Sequence, residues 1–155
     1  MAKDRKQGKR GLNIIIVGCG KVGASLTEQL YKEGHDITLV DRSSERLQVL
    51  TDMYDVMGIV GNGASYKIQR EAGIDNADLM IAVTDSDELN LLCCLIAKKL
   101  GAKHTIARVR NPEYRRDDTM LKREIGLDML INPDLGAAQE IARILSFPAA
   151  FSVEP

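Results

Sequence analysis

A glycine-rich segment, Gly18-Cys19-Gly20-Lys21-Val22-Gly23, has the residue types and spacing that most directly predict chemistry in this sequence. It follows an apolar run at residues 14–17, and a helical pattern opens at Lys21, so the glycines fall at a strand-to-helix turn. Gly18 permits a tight bend, Gly20 lets a pyrophosphate approach the backbone, and Gly23 lets helix and strand pack closely. The free N–H groups and dipole of the helix N-terminus, with the charge of Lys21, favour an anion. The segment therefore predicts the phosphate-binding turn of a dinucleotide site.

An acid about twenty residues beyond that turn completes the pattern. The second predicted strand ends at Asp41, where a carboxylate can accept hydrogen bonds from ribose hydroxyls. Such a carboxylate repels a 2′-phosphate, so NAD or a plain adenine nucleotide is favoured over NADP, although the adjacent Arg42 weakens that exclusion. Asp41 could alternatively cap the helix that follows it.

Polar residues follow the third and fourth predicted strands, on the edge where open α/β sheets bind ligands. Asn62 and Gly63 could contact adenine, or they could form a turn that needs left-handed backbone angles. Thr84 and Asp85 could approach the distal ribose or the phosphates. Asp85 could instead cap the next helix, with Glu88 completing a capping box.

Two further residues at this edge have alternative interpretations. Arg108, at the end of the fifth predicted strand, could pair with a phosphate or with an acid such as Glu88 or Glu113. Cys19 could have a lowered thiol pKa at the helix N-terminus and be redox-sensitive, or it could be a small residue without a role. We predict no catalytic and no metal-binding residue. The predicted nucleotide contacts are Gly18, Cys19, Gly20, Lys21, Val22, Gly23, Asp41, Arg42, Asn62, Gly63, Thr84, Asp85 and Arg108.

The elements that must position these residues alternate between strand-like and helix-like patterns along the chain, which is typical of a doubly wound parallel sheet. We predict an α/β fold: a Rossmann-like, doubly wound parallel β-sheet of about six strands with helices on both faces. The predicted strands are residues 14–17, 37–41, 56–60, 79–83, 105–109 and 127–131. The predicted helices begin at Lys21 and near residues 44, 65, 85 and 119, and a last helix follows Pro133.

Composition limits the class of protein. A chain of 155 residues that is 45% hydrophobic suits one globular domain with a substantial core. A formal net charge of -1 gives no general attraction to nucleic acid or anionic lipid. The longest apolar run, residues 91–97, is far below the roughly 20 residues that span a bilayer. The three cysteines match neither a disulfide framework nor a zinc spacing, so we expect a cytoplasmic protein. Because the net charge gives no general attraction to nucleic acid, we expect no nucleic-acid partner.

The whole pattern resembles the N-terminal domain of the Trk-type potassium-uptake regulators, also called the RCK or KTN family. The resemblance is carried by residues 15–23, 40–41, 60–63, 84–91 and 106–109; the run Thr84-Asp85-Ser86-Asp87-Glu88-Leu89-Asn90 is its most particular part. It implies a regulatory subunit that binds NAD or NADH, or alternatively ATP, ADP or AMP, without turning the nucleotide over. It also implies a membrane potassium transporter as partner, and so a position at the inner face of the plasma membrane. Family members commonly carry an acid where this chain has Asn62, which implies that an amide serves the adenine side here.

The predicted domain organisation has three parts. Residues 1–11 form a basic flexible arm, residues 12–148 form the RCK/KTN nucleotide-binding Rossmann domain, and residues 149–155 begin a linker to a missing C-terminal domain. The last helix has apolar residues beyond a single stripe. It could cover one face of the sheet, but the resemblance favours a crossover to a second protomer, which predicts a homodimer or higher ring through this C-terminal helix.

Two other functions compete with a regulatory role. An NAD-dependent oxidoreductase needs a substrate site and a proton donor or acceptor facing the nicotinamide. No His-acid pair, Ser-Tyr-Lys set or metal constellation is apparent in this sequence, so we expect no enzymatic activity. A DNA-linked redox sensor would need a DNA-binding module, and no helix-turn-helix pattern is apparent.

Overall fold

Six parallel strands form one sheet in the computed structural model, which describes residues 11–132 and Ile141. The strand order is β3-β2-β1-β4-β5-β6, and every neighbouring pair is parallel. This arrangement confirms the predicted Rossmann-like, doubly wound sheet. The strands are β1 (Asn13–Val17), β2 (Asp36–Asp41), β3 (Met57–Val60), β4 (Leu79–Ala82), β5 (His104–Arg108) and β6 (Met129–Ile131).

Helices connect the strands and cover both faces of the sheet. They are α1 (Lys21–Lys32), α2 (Ser44–Met53), α3 (Tyr66–Glu71), α4 (Asp87–Leu100), α5 (Pro112–Arg116) and α6 (Asp118–Leu121). A 3₁₀ turn at Ile74–Asn76 precedes β4, and a π-helical turn at Lys122–Gly126 follows α6. Within the described residues, no helix is long and apolar enough to cross a membrane.

The apolar run of β1 supplies both layers of the core, because successive side chains of a strand point to opposite faces. Ile14 and Ile16 belong to one buried cluster with Leu26 and Leu30 of α1. The alternate residues of β1 belong to a second cluster, together with buried residues of α4. A strand that is buried on both faces reads as a continuous hydrophobic run, which is why the sequence predicts this element well.

The strand order reverses between β1 and β4, and this reversal positions the site. The chain leaves β1 toward β2 on one side and leaves β4 toward β5 on the other, so the two following loops diverge. A crevice opens between them at the carboxyl ends of the strands, where open α/β sheets bind ligands.

The structure corrects several predicted elements. The predicted N-cap of α4, Asp85, is wrong. Ser86 is the N-cap, and its hydroxyl accepts a hydrogen bond from the Leu89 N–H at 3.1 Å. Helix α5 was not predicted, although the pair Asn111 and Pro112 at its start is a typical cap followed by a first-turn proline. The predicted helix at 119–124 is a single α-helical turn continued by the π-helical turn.

Three predictions lie outside the described residues. These are the basic arm at residues 1–11, of which only Gly11 is described, the linker at 149–155 and the crossover helix after Pro133, apart from Ile141. Ile141 has helical backbone conformation, is fully buried and belongs to the core cluster of Ile14 and Ile16.

Candidate functional site

A cleft of about 280 Å³ opens at the carboxyl edge of the sheet, at the reversal between β1 and β4. Its size is close to the lower end of the range typical of small-molecule sites. The cleft is lined by Val17, Gly18, Gly20, Lys21, Val22, Val40, Asp41, Arg42, Arg46, Gly61, Gly63, Val83, Thr84, Asp85, Leu89 and Arg108. All the predicted contact residues are therefore in this lining except Cys19, Gly23 and Asn62.

The glycine turn joins β1 to α1 in the conformation that its glycines permit. Gly18 has a φ of 106°, a left-handed backbone angle that favours glycine, and its N–H donates to the Val40 carbonyl at 2.8 Å. A Cβ on Gly23 would collide with the backbone carbonyl of Gly18, so this glycine allows α1 to begin directly under the turn. Around Gly20, the nearest atom to an added Cβ is a flexible one, the Arg46 Nη1 at 3.5 Å. Space therefore remains at Gly20 for a ligand to approach the backbone.

Asp41 ties this turn to the end of β2. Its Oδ2 accepts a hydrogen bond from the Cys19 N–H at 2.6 Å, and its Oδ1 accepts one from the Ser43 N–H at 2.7 Å. Asp41 is not the cap of α2: Ser43 is, and its Oγ accepts from the Arg46 N–H at 3.2 Å. Two carboxylate oxygens offer about four acceptor sites, so Asp41 retains acceptor capacity toward the cleft while it holds the turn in place.

Cys19 contributes its backbone to the turn but not its side chain to the cleft. The side chain is 5% exposed and lies in the core cluster with Leu26 and Ile16. Burial, with the nearby negative charge of Asp41, raises the pKa of the Cys19 thiol to about 12, while the charge of Arg46 acts in the opposite direction. The hypothesis of a lowered thiol pKa is therefore wrong, because desolvation outweighs the helix N-terminus.

The pKa values of the buried thiols predict a stability that falls in alkaline solution. Burial raises the pKa of Cys93 from 9.0 to about 12, so the folded chain holds this proton where the unfolded chain has lost it. Above pH 9 the unfolded state binds fewer protons, and the free energy of unfolding should fall by about 1.4 kcal/mol per pH unit for this thiol until pH approaches 12.

Urea unfolding between pH 8 and 11 measures this effect, with Cys93→Ala as the matched variant. The variant lacks one such thiol, so its free energy of unfolding should depend less steeply on pH. Equal slopes for the two proteins would contradict the prediction, whatever other groups titrate in the same range.

The far side of the cleft is built by a buried amide. Asn90 of α4 is fully buried, and its Oδ1 accepts from the Thr84 N–H at 2.8 Å and from the Thr84 Oγ1 at 2.7 Å. Its Nδ2 donates to the carbonyl oxygens of Thr84 at 3.1 Å and Arg108 at 2.9 Å. One side chain therefore joins the loop after β4 to the end of β5.

Arg108 is held in the same loop. Its Nη1 donates to the Thr84 carbonyl at 3.0 Å and pairs with Asp85 Oδ1 at 3.3 Å. Neither Glu88 nor Glu113, the acids that the sequence suggested, is the ion-pair partner of Arg108. Glu88 accepts instead from the Tyr114 hydroxyl at 2.7 Å. The side chain of Asp85 is 91% exposed, so its pair with Arg108 is screened by water and a ligand anion could compete for the guanidinium.

Asn62 and Gly63 lie in a turn after β3, in which the Ser65 N–H donates to the Asn62 carbonyl at 2.9 Å, but this turn does not use the left-handed backbone angles that the sequence suggested. No residue other than glycine has a positive φ among those described, and Gly63 is not one of the glycines that has one. The left-handed alternative is therefore wrong. Gly63 is small because a Cβ would collide with Val17 Cγ1, and Asn62 Oδ1 accepts from the Ala64 N–H at 3.0 Å.

Arg46 is a lining residue that sequence reasoning missed. It lies in the first turn of α2, three residues after the Ser43 cap. A cation in the first turn of a helix is unfavourable with the helix dipole, which is the signal that could have singled it out. With Lys21, Arg42 and Arg108 it gives the cleft an excess of positive charge over Asp41 and Asp85. The arrangement can therefore bind an anion beside a polyhydroxyl group.

A protein-family model described as the TrkA-N domain matches residues 14–133. The chain is also 42% identical over 142 residues to the Trk system potassium uptake protein TrkA homolog of Archaeoglobus fulgidus, covering 92% of this chain and 32% of the relative. It is 43% identical over 145 residues to the Trk system potassium uptake protein TrkA of Haemophilus influenzae, with the same coverages of 92% and 32%. The chain thus spans about a third of the length of these curated relatives.

Solved structures share this fold. The TrkA-N domain of the inner membrane protein ybaL from Escherichia coli has a TM-score of 0.69 at 22% identity, covering 88% of this chain and 95% of that one. The GsuK channel bound to NAD has a TM-score of 0.65 at 20% identity, covering 78% and 21%. GsuK bound to ADP has a TM-score of 0.65 at 20% identity, covering 79% and 31%. At these identities the likeness is one of fold.

Proposed function

Because this chain belongs to the TrkA-N domain family, we propose that it is a nucleotide-sensing regulatory part of a potassium uptake system. NAD or NADH, or alternatively ATP, ADP or AMP, binds in the cleft and changes the conformation of the protein. A membrane potassium transporter responds to that change. The observation that carries the proposal is the cleft at the strand reversal, where a glycine turn with room at Gly20 meets the carboxylate of Asp41.

The ligand class follows from what the two sides of this cleft can recognise. The turn presents the N-terminus of α1 and Lys21 to an anion, and no acid occupies the first turn of that helix. Asp41, at the end of the neighbouring strand β2, can accept hydrogen bonds from the ribose hydroxyls of a ligand. The related fold of GsuK has been solved with NAD and with ADP, which supports adenine nucleotides of both kinds.

We propose that the nucleotide is bound and not turned over. Among the described residues that line the cleft, the ionisable ones are Lys21, Asp41, Arg42, Arg46, Asp85 and Arg108. A hydride-transfer enzyme uses a proton donor or acceptor at the nicotinamide. Here the residue on the far side, Arg108, is already bonded to the protein, and an arginine stays protonated.

Regulation requires a ligand that binds two conformations with different affinities, since equal affinity shifts no equilibrium. The cleft has two walls on separate loops: the turn held by Asp41 and the loop held by Asn90. A nucleotide that contacts both walls favours the arrangement in which they are close. We propose that this closing is passed on through a homodimer or higher ring formed by the C-terminal helix, with the assembly at the inner face of the plasma membrane through its transporter.

Calorimetric titration with NAD, NADH, NADP, ATP, ADP and AMP tests the proposal. We expect micromolar binding of a nucleotide that lacks a 2′-phosphate. Asp41→Ala should weaken it at least tenfold, because it removes the ribose acceptor and releases the turn.

Two further variants sharpen this test. Asp41→Asn keeps the size of the side chain and separates a loss of charge from a loss of fold. Asp52→Ala, on the exposed side of α2, is the matched control and should bind like the original protein. Absence of binding by every nucleotide, or consumption of the bound nucleotide, would overturn the proposal.

A further inference from the structure

The Arg46 side chain of α2 lines the cleft beside Gly20 of the glycine turn. Resting on the proposed function, we propose that Arg46 binds the diphosphate group of the nucleotide and so makes the site depend on phosphates as well as on ribose. The diphosphate is a feature shared by ADP and the pyridine dinucleotides, and adenosine lacks it.

The guanidinium of Arg46 lies close to Gly20. A Cβ on Gly20 would lie 3.5 Å from Arg46 Nη1, and no other atom outside the turn is as near to it. The absent side chain of this second glycine is what lets a pyrophosphate reach the backbone of such a turn. The Arg46 guanidinium therefore lies beside the space that a diphosphate would enter at the N-terminus of α1.

The backbone around Arg46 is fixed, whereas its side chain can adjust. The Arg46 N–H donates to the Ser43 cap at 3.2 Å, and Ser43 is itself bonded to Asp41 Oδ1 at 2.7 Å. The base of the arginine is thus tied to the same carboxylate that holds the glycine turn. The long side chain can rotate to admit a diphosphate and then close on it.

The guanidinium of Arg46 is also available for a ligand. Among the hydrogen bonds and ion pairs within residues 11–132, none uses its side-chain donors, and Asp41 directs one oxygen to each of two backbone N–H groups. Arg108 on the opposite wall differs, since it donates to the Thr84 carbonyl and pairs with Asp85. A guanidinium carries five donors in a planar fork that matches phosphate oxygens two at a time.

An exposed arginine often does no more than face water, and two observations argue against that interpretation here. Its side chain lines the cleft rather than the outer surface of α2, and it lies next to the one glycine of the turn around which space remains. Arg42 is the other arginine of this wall and directly follows Asp41, which places it at the ribose end of the site. Arg46 is therefore the arginine assigned to the diphosphate.

The test compares adenosine ligands that carry different numbers of phosphates, with ADP and NAD sharing the diphosphate. Calorimetric affinities are measured for adenosine, AMP, ADP, NAD and NADP with Arg46→Ala, Arg46→Lys and the original protein. We expect Arg46→Ala to weaken ADP and NAD by about 10- to 100-fold and to leave adenosine within twofold. Arg46→Lys keeps the charge but not the planar fork, so it should recover part of the loss.

Arg123→Ala is the matched control, because Arg123 is exposed in the π-helical turn, pairs there with Glu124 and does not line the cleft. It should leave every affinity unchanged. Thermal unfolding of each variant verifies that the fold is retained.

Failure of this inference and failure of the proposed function give different results. If the original protein binds ADP or NAD and Arg46→Ala binds them equally well, or loses adenosine to the same extent, the inference is overturned and the proposed function stands. If Arg46→Ala weakens the binding of NADP much more than that of NAD, Arg46 binds a 2′-phosphate rather than the diphosphate, and the inference is overturned. If the original protein binds no nucleotide, both are overturned.

Discussion

Replacing Gly23 with alanine should lower the free energy of unfolding by about 3 kcal/mol and abolish nucleotide binding. The added Cβ would collide with the carbonyl of Gly18, which is backbone and cannot rotate away as a side chain can. Relief requires α1 to move off the turn, and that movement exposes Leu26 and Leu30, which are fully buried under the sheet. Urea unfolding followed by circular dichroism measures the stability, and calorimetry measures the binding.

Gly20→Ala is the matched control in the same turn. Gly20 has a φ of -75°, which alanine adopts without strain, and the nearest atom to its added Cβ belongs to the flexible Arg46 side chain. We expect stability to fall by about 1 kcal/mol or less, because Gly20 is the N-cap of α1 and alanine is a poorer cap. Binding should be lost, because the Cβ occupies space for the phosphates. Equal stability losses for the two variants would show that the close contact at Gly23 does not decide the turn.

Asn90→Ala should also cost about 3 kcal/mol of stability and weaken nucleotide binding. The substitution removes four hydrogen bonds from a fully buried side chain and leaves the Thr84 N–H and the Arg108 carbonyl without their partner. Each buried polar group left unpaired costs about 1 to 3 kcal/mol. The loop that carries Thr84 and Asp85 should open, and amide hydrogen exchange at Thr84 should become faster.

Asn90→Asp separates the two halves of this interaction. A carboxylate can still accept from Thr84, but it places an acceptor against the carbonyl oxygens of Thr84 and Arg108. We expect a loss of stability comparable to that of the alanine variant. Lys99→Ala, on the exposed side of the same helix, should change stability by less than about 0.5 kcal/mol. A stability of Asn90→Ala equal to that of this control would refute the role given to the amide.

Local patterns in the sequence predicted the parts of this protein that depend on neighbours along the chain. Continuous apolar runs identified the strands because a parallel strand is buried on both faces, and alternation of elements identified the doubly wound sheet. The glycine spacing predicted a tight turn, and Gly18 has the left-handed angle that such a turn uses. The sequence also predicted that Asp41 would end β2 at the edge where the turn lies.

Other features depend on groups that are far apart in the sequence. The orientation of the Cys19 side chain was decided by the space beneath the turn, and burial there raises its pKa instead of lowering it. The small size required at Gly63 comes from Val17, which is distant in the chain but close to Gly63 in the folded protein. The N-cap of α4 is Ser86 and not the predicted Asp85, because the sequence pattern does not distinguish between two neighbouring residues that can both cap a helix.

The sequence by itself determined the fold and the glycine turn with its acid, because backbone angles, helix capping and apolar periodicity are properties of short segments. Only the tertiary structure decided which side chains complete the cleft. Arg46 belongs to no motif, and the run at residues 84–90 that contains Asn90 assigns no role to that amide. Each acts through groups on other elements: Asn90 through Thr84 and Arg108, Arg46 beside Gly20. Their positions follow from the crossing of helices over the sheet, which packing of the whole core sets and no local pattern encodes.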